Sequence, residues 1–357
     1  MSRARVLVLN SALGPLDYRV PHGMSVEPGS IVAAPLGPRQ LIGVVWEADR
    51  MPSVAEVGDN RLRNLIAVAD VPPLTAPLRR LIEWTSAYYL APPAAVVRMA
   101  LSSSAALEGA RTATEYRATG LIPDRLTAQR EQALERIGDR QGLIRELATI
   151  ADVSDGVIRG LVKVGAIEAV EIDIDSPFPA PDPGFAAPTL SPDQQAAADT
   201  LIGDVTGGGF APTLLDGVTG SGKTEVYFEA IAACLRGGKQ ALVLLPEIAL
   251  TEPFLKRFHD RFGVEPVAWH SGLRSTQRRR AWRAIASGQA AVTVGARSAL
   301  FLPYANLGLI VVDEAHETSF KQEEGVHYHA RDVAVMRGKF EDIPVVLASA
   351  TPAIETR

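Results

Sequence analysis

Short apolar runs recur along the C-terminal half of the chain, around Leu214 and at 242–245, 291–294, 309–312 and 345–347, with few polar interruptions. A strand covered on both faces reads this way, and that is the condition of a parallel sheet. Helical stretches lie between the runs, so the alternation predicts an α/β domain. The first 105 residues read differently. Brief apolar runs such as VLVL, SIVAAPLG and LIGVVWEA are punctuated by Gly and Pro, a pattern that predicts a small β-rich domain. Its end turns helical: Leu78, Leu81, Ile82, Trp84 and Thr85 fall on one side of a 3.6-residue period, followed by Tyr88 and Tyr89.

From Thr127 to Ile174 the pattern gives three helices and then an alternating strand, AIEAVEIDID, with Ser154 placed as an N-cap and Gly165 as a stop. Helices followed by a β element are the order of a winged-helix module, and the alternative is a helical spacer without DNA contact. Between this segment and the α/β domain, PFPAPDPGFAAP holds five prolines in twelve residues. Proline removes backbone donors and favours extended chain, so 177–188 reads as a linker. The expected domains are therefore 1–105, 106–176 and 189–357, joined by that linker.

Composition narrows the function classes. A length of 357 residues with 47% hydrophobic content supports two or three buried cores. The net charge of -5 leaves room for a nucleic-acid partner reached through a local basic surface. Cys234 is the single cysteine, which excludes an intramolecular disulfide and a multi-cysteine zinc site, suits a reducing cytosol and predicts a small buried hydrophobe. The apolar run at 6–9 is too short for a signal-peptide core, and no run approaches the roughly 18 residues of a membrane span. A cytoplasmic protein without membrane contact is expected.

The chemistry concentrates in the α/β domain. GVTGSGKT at 217–224 matches G-x-x-x-x-G-K-T, follows the strand APTLLD and opens the helix EVYFEAIAACLR. In such a loop Gly217, Gly220 and Gly222 let backbone N–H groups close on phosphates, Lys223 neutralises the outer phosphates and Thr224 offers its hydroxyl to Mg2+. The run LGLIVVDEAH delivers Asp313 and Glu314 at the carboxyl end of a strand, where ligands of doubly wound sheets bind. Asp313 would hold Mg2+, and Glu314 would position and deprotonate an attacking water. The set implies ATP as nucleotide. Upstream, Gln194 could pair its amide with adenine; alternatively Ser191 or Asp193 caps a helix with Gln194 merely solvated. Five arginines within 274–283 could attract DNA or form a solvated helix face.

These residues resemble superfamily 2 DNA helicases and, within them, the primosomal replication-restart family PriA. The resemblance rests on GVTGSGKTEVY, LLPEIALT, HSGL, VGARSALF, VVDEAHETSFKQEEGVHYHARDVAVMR and LASATPAIET in order. It implies a RecA-like lobe in which His316 belongs to the DEAH box beside the nucleotide and Ser349 and Thr351 couple hydrolysis to DNA movement. Pro246, Glu247, Thr251 and Arg297 would line a single-strand track. The aromatic-rich loop 320–329, with Phe320 and Tyr328, would sense single-stranded DNA by stacking. Val326 stands where an aromatic is expected, and Ala296 where the family has threonine. In the N-terminal domain Asp17, Gly37 and Arg63 resemble the pocket that grips a 3′ end at a fork, with Asp17 accepting from the 3′-hydroxyl and Arg63 meeting a phosphate. Leu16 replaces a phenylalanine there.

The resemblance further implies an ATP-dependent 3′ to 5′ helicase acting in replication restart. Its partners would be forked or single-stranded DNA, single-stranded DNA-binding protein, and primosome and helicase-loading proteins near the nucleoid. The sequence ends at Arg357, right after SATPAIET. The second RecA-like lobe, its arginine finger and the zinc-binding region therefore fall outside it. The expectation for this chain is fork binding with weak or no hydrolysis. The competing readings are a non-motor DNA-binding assembly platform and a generic superfamily 2 translocase.

Overall fold

In the first hundred residues, alternating burial along each run gives strands with two distinct faces. The computed structural model describes residues 2–51, 58–101, 112–121, 127–173, 177–246 and 252–352. Strands β1 (Arg3–Val8), β2 (Leu16–Arg19), β3 (Ile31–Leu36), β4 (Arg39–Trp46) and β5 (Ala67–Val68) form an antiparallel sheet in the order β2-β1-β4-β3-β5. One face carries Val6, Tyr18, Val32 and Val45 into a small core of its own. The other carries Leu7, Ile31, Val44 and Trp46 toward α1 (Ala76–Tyr88) and α2 (Pro93–Leu101). As the periodicity predicts, α1 buries Leu78, Leu81, Ile82 and Thr85.

Residues Gly109–Ser176 form a separate compact unit. It contains β6 (Thr112–Ala118), α3 (Ala128–Ile137), β7 (Gln141–Gly142), α4 (Ile144–Ala151), α5 (Asp155–Lys163) and β8 (Ile167–Asp173), with its sheet ordered β7-β6-β8. Ile137, Leu147, Ile158 and Leu161 fill its core. Ser154 occupies the N-cap position of α5 without donating or accepting a side-chain cap bond. Gly165, at φ +75°, turns the chain after that helix.

The larger unit joins Met1–Glu108 to Pro177–Arg357. After α6 (Pro192–Gly207) come β9 (Pro212–Asp216), α7 (Lys223–Arg236), β10 (Gln240–Leu244), α8 (Glu252–Phe262), β11 (Val267–Trp269), α9 (Ser275–Ala286) and β12 (Val292–Gly295). Then follow β13 (Leu307–Val312), the ribbon β14 (Lys321–Gln322) and β15 (Tyr328–His329), α10 (Ala330–Glu341) and β16 (Val345–Ser349). The parallel sheet has six strands in the order β11-β12-β10-β13-β16-β9. Five match the apolar runs; the sixth, β11, is only three residues long and leaves no run to read.

Successive residues of the central strands feed opposite cores. Ala241, Val243, Leu309 and Val311 face α7 and α8, where Phe228, Phe258 and Phe262 pack. Leu242, Leu244, Ile310 and Val312 join Trp282, Phe301 and Val333 in a core that continues into α1, α2 and the N-terminal sheet. The indole Nε1 of Trp282 donates to the Ala100 carbonyl at 2.8 Å inside that core.

The proline-rich segment lies along this unit. The N–H of Asp182 donates to the Phe262 carbonyl at 3.0 Å, and the Pro183 carbonyl accepts from Arg236 and Arg261. The Arg280 guanidinium stands over the Phe178 ring at 4.2 Å. The arginines of 274–283 are not simply a solvated face: Arg279 is buried, and Arg278 stands over Trp269.

Candidate nucleotide and nucleic-acid sites

β9 ends at Asp216 and α7 begins at Lys223, so 217–222 must turn the chain from the sheet into a helix N-terminus. Gly220 and Gly222 do so at φ +79° and +82°, which side-chain-bearing residues rarely adopt. A Cβ on Gly222 would also run into the Gln194 amide. The Lys223 ammonium donates to the carbonyls of Gly217 at 2.6 Å and Val218 at 3.2 Å, which poises it over the loop.

Gln194 is neither solvated nor idle. Its Oε1 accepts from the Ser191 N–H at 2.8 Å, the Ser191 hydroxyl accepts from the Gln194 N–H, and Gln194 Nε2 donates to the Ser221 carbonyl at 2.9 Å. The side chain therefore closes a capping box on α6 and ties that helix to the phosphate loop.

Asp313 leaves β13 almost fully buried. Its Oδ2 accepts from the Tyr227 hydroxyl at 2.8 Å, and its Oδ1 from the Glu314 N–H at 2.9 Å. Burial pushes the Asp313 carboxyl above the usual range, against the pull of Tyr227 and of that N–H. Tyr227, fully buried in α7, is itself raised well above the ordinary phenol by burial. Glu314 follows at φ +47°, a left-handed conformation that lifts its half-exposed carboxylate out of the strand line.

Ser349 joins the two halves of this site. Its carbonyl accepts from the Gly217 N–H at 3.2 Å. Its hydroxyl lies 2.9 Å from His316 Nδ1 and accepts from the Thr351 N–H at 3.2 Å. His316 Nδ1 is also 3.5 Å from Glu314 Oε2. A continuous path of contacts thus runs from the phosphate loop through Ser349 and His316 to the second carboxylate.

Beyond the nucleotide site, Pro246 is buried at the end of β10, and Glu247 and Thr251 lie outside the described residues. Arg297 Nη1 donates to the carbonyls of Ser319 and Lys321 at 2.9 and 2.6 Å, fixing the base of the aromatic-rich loop. Phe320 and Tyr328 are buried, Tyr328 edge-on to Phe301. In this arrangement both rings are covered, so stacking on a base would require the loop to move. In the N-terminal sheet, Arg63 Nη1 donates to the Gly37 carbonyl at 2.7 Å, and Gly37 turns at φ +58° with open space around it. Asp17 is not with them. It accepts from Arg5 Nε at 3.0 Å, lies 3.8 Å from Arg3, and its side chain is 2% exposed. Adjacent strand residues point to opposite faces, so Tyr18 joins the small core while Asp17 turns to the other side.

Comparison with known proteins bears on both regions. A family model described as 3'DNA-binding domain (3'BD) matches residues 5–102, and one described as DEAD/DEAH box helicase matches 191–357. The replication restart protein PriA of Rickettsia felis is 33% identical over 100% of this chain and 44% of its own length. The chain belongs to the PriA family. The Haemophilus influenzae member is 33% identical over 95% of this chain and 48% of its own length, and the Bacillus subtilis member 41% identical over 59% and 26%. The chain thus spans less than half the length of those PriA relatives. Within the PriA frame, two functional links escaped the sequence reading. Tyr227 and Asp313 lie 86 positions apart, and His316 and Ser349 lie 33 apart. Only the tyrosine's place on the phosphate-loop helix, facing the sheet, could have hinted at the first.

Proposed function

We propose that this chain is the ATP- and DNA-binding N-terminal part of a replication-restart helicase. The observation that carries the reading is the assembled site: a positive-φ phosphate loop with Lys223, linked through Ser349 and His316 to the carboxylate pair Asp313 and Glu314. The donor set fits Mg2+, which is usually held by few carboxylates plus substrate phosphates. Thr224 and Asp313 would hold it, and when bound it would supply charge neutralisation at the phosphates. Lys223 would exchange its loop carbonyls for phosphate oxygens, and Glu314 would orient water. Gln194 would serve the nucleotide by fixing the loop, and its amide keeps one further N–H and one further lone pair for adenine.

The match to a 3'DNA-binding domain supports a DNA-facing N-terminal region, with Gly37 and Arg63 as its nearest candidate contacts. It favours the restart reading over a generic translocase. The three-helix, three-strand order of Gly109–Ser176 supports a winged-helix module. Helicase activity of the whole protein, its 3′ to 5′ direction, a zinc-binding region, loader and single-stranded DNA-binding partners and a cytoplasmic, nucleoid-associated location belong to the same proposal.

The test is equilibrium binding of a fluorescent ATP analogue with Mg2+ and of a model fork, on the same preparation at fixed salt. Lys223→Ala should abolish measurable nucleotide binding and leave fork affinity within about twofold, since non-specific DNA binding rests on phosphate contacts elsewhere. Undiminished nucleotide affinity in that variant, or equal affinity for fork and blunt duplex in the parent chain, would overturn the reading.

A further inference from the structure

The proline-rich segment is pinned at two places, and between them it walls a cleft. At one end the Pro183 carbonyl accepts from Arg236 at 3.1 Å and from Arg261 at 3.2 Å, and the Phe185 ring covers Gly263, where a Cβ would stand 3.0 Å from it. At the other end Ser191 and Gln194 cap α6, and Gln194 ties that cap to the phosphate loop. Between the two anchors, Ala186, Ala187 and Pro188 form one side of an open cleft of about 260 Å³. Glu225 and Phe228 of α7 and Arg257 of α8 line it from the lobe.

The cleft begins where the phosphate loop ends. A Cβ on Gly222 would press on the Gln194 amide and lie 3.4 Å from Glu225 Oε2, so Gly222, Gln194 and Glu225 converge at one point. Glu225 Oε1 in turn lies 3.6 Å from Arg257 Nε, with the two side chains 30% and 56% exposed. An ion pair that open to water contributes little, so giving it up costs little. The planar Arg257 guanidinium can then turn to lie flat on a ring.

An apolar slot with a planar cation at its edge fits a flat aromatic ring. The position selects the ring: a nucleotide whose phosphates lie in the loop must place its base within reach of Gly222, and the cleft opens from that point. The volume is just below the roughly 300 Å³ at which pockets take whole small ligands. It suits a base alone, with the phosphates outside it in the loop. Residues 186–189 are exposed and carry small side chains, so a ring laid against them would be covered by the segment itself.

We propose that the proline-rich segment is a strap that responds to the nucleotide. The base of a bound nucleoside triphosphate lies in the cleft, with Arg257 stacked on one face and residues 186–188 closing on the other. The middle of the strap is thereby fixed along with its ends. Since Pro177 directly follows the compact unit Gly109–Ser176, the nucleotide sets the order of the segment through which that unit is attached to the lobe. By linkage, a change that loosens the strap weakens nucleotide binding. The proposal rests on the reading of the chain as ATP-binding.

The test is hydrogen exchange of the full chain, read by mass spectrometry with Mg2+ and saturating ATP, and again with inorganic tripolyphosphate, which has the phosphates and no base. ATP should slow exchange at both 217–224 and 184–191, and tripolyphosphate only at 217–224. Arg257 is more than half exposed, so its replacement should leave the fold intact. Arg257→Ala should lose the protection of 184–191 and weaken ATP by about two- to fivefold, the worth of an exposed cation–π contact, with tripolyphosphate affinity unchanged. Pro188→Gly, which loosens the strap, should weaken ATP by about as much and likewise spare tripolyphosphate. Identical patterns for the two ligands, with 217–224 protected and 184–191 not, would sink the strap and leave the ATP reading standing. Equal weakening of both ligands by Arg257→Ala would make the arginine a phosphate contact and overturn the proposal as well. Should tripolyphosphate bind too weakly to saturate, the ATP arm decides alone: protection of 184–191 that persists in Arg257→Ala overturns it. ATP that protects neither stretch would sink the ATP-binding reading itself.

Discussion

Tyr227 shows how much a single hydroxyl can decide. It holds one oxygen of Asp313 while a backbone N–H holds the other, so the carboxylate has one orientation. Tyr227→Phe removes the donor without changing the ring. It should leave a buried oxygen unpaired, at a cost of about 1–3 kcal/mol. If Asp313 serves Mg2+, the variant should also lose about tenfold of the advantage Mg2+ gives nucleotide binding, the effect of removing a partner behind a metal ligand. Titration of ATP with and without Mg2+ checks this; an unchanged ratio would make Tyr227 purely structural. At this scale the sequence was legible where the chemistry is local. The phosphate loop and the Asp-Glu pair each sit within a few residues, and Cys234 is the buried hydrophobe its isolation suggested, its thiol pushed up to about 12 by burial. Phe320 and Tyr328 were not legible, because an aromatic in a loop reads the same whether it faces a base or a core.

Between elements, a partly buried ion pair helps join the end of β4 to α1. The Arg79 guanidinium, buried at 8% exposure, meets Glu47 and also donates to the Pro28 and Leu74 carbonyls. Partial burial opposes the Glu47 charge, but Arg79 outweighs it and draws the carboxyl below the usual glutamate range. A depressed carboxyl adds stability above its unfolded value, about 4.3, and loses it as pH falls. Glu47→Gln should therefore melt earlier than the parent chain at pH 7, and the two midpoints should converge below about pH 4. A gap independent of pH would refute the assignment. The proline-rich segment carries the lesson of this scale. Its missing donors argued for a linker, and its carbonyls remain acceptors: Arg236 and Arg261 use that of Pro183. Sequence shows what a backbone lacks more readily than which distant side chain will come to it.

At the scale of the molecule, the N-terminal domain and the lobe share one core, and Trp282 is the polar stitch within it. Trp282→Phe keeps an aromatic ring but strands the Ala100 carbonyl, and should cost about 1–3 kcal/mol. Because the core is common, tryptic cleavage of the N-terminal sheet and of the lobe should accelerate together under native conditions. Acceleration of one alone would show two independent cores. Strand order and the common core exceed what periodicity can give, since a run such as Leu309 to Val312 fixes burial on both faces but names no neighbour.

The shared core also has a consequence for how the protein is made. Synthesis proceeds at about 5–20 residues per second, and Gly109–Ser176 is interposed before the lobe that covers α1 and α2 is translated. For on the order of ten seconds, Leu78, Leu81, Val96 and Leu101 have only each other and the N-terminal sheet to meet, without the lobe that completes their core. The newborn polypeptide therefore leaves part of this apolar face uncovered until the lobe is translated, so its demand on the cell's chaperones depends on the order of synthesis as well as on final stability.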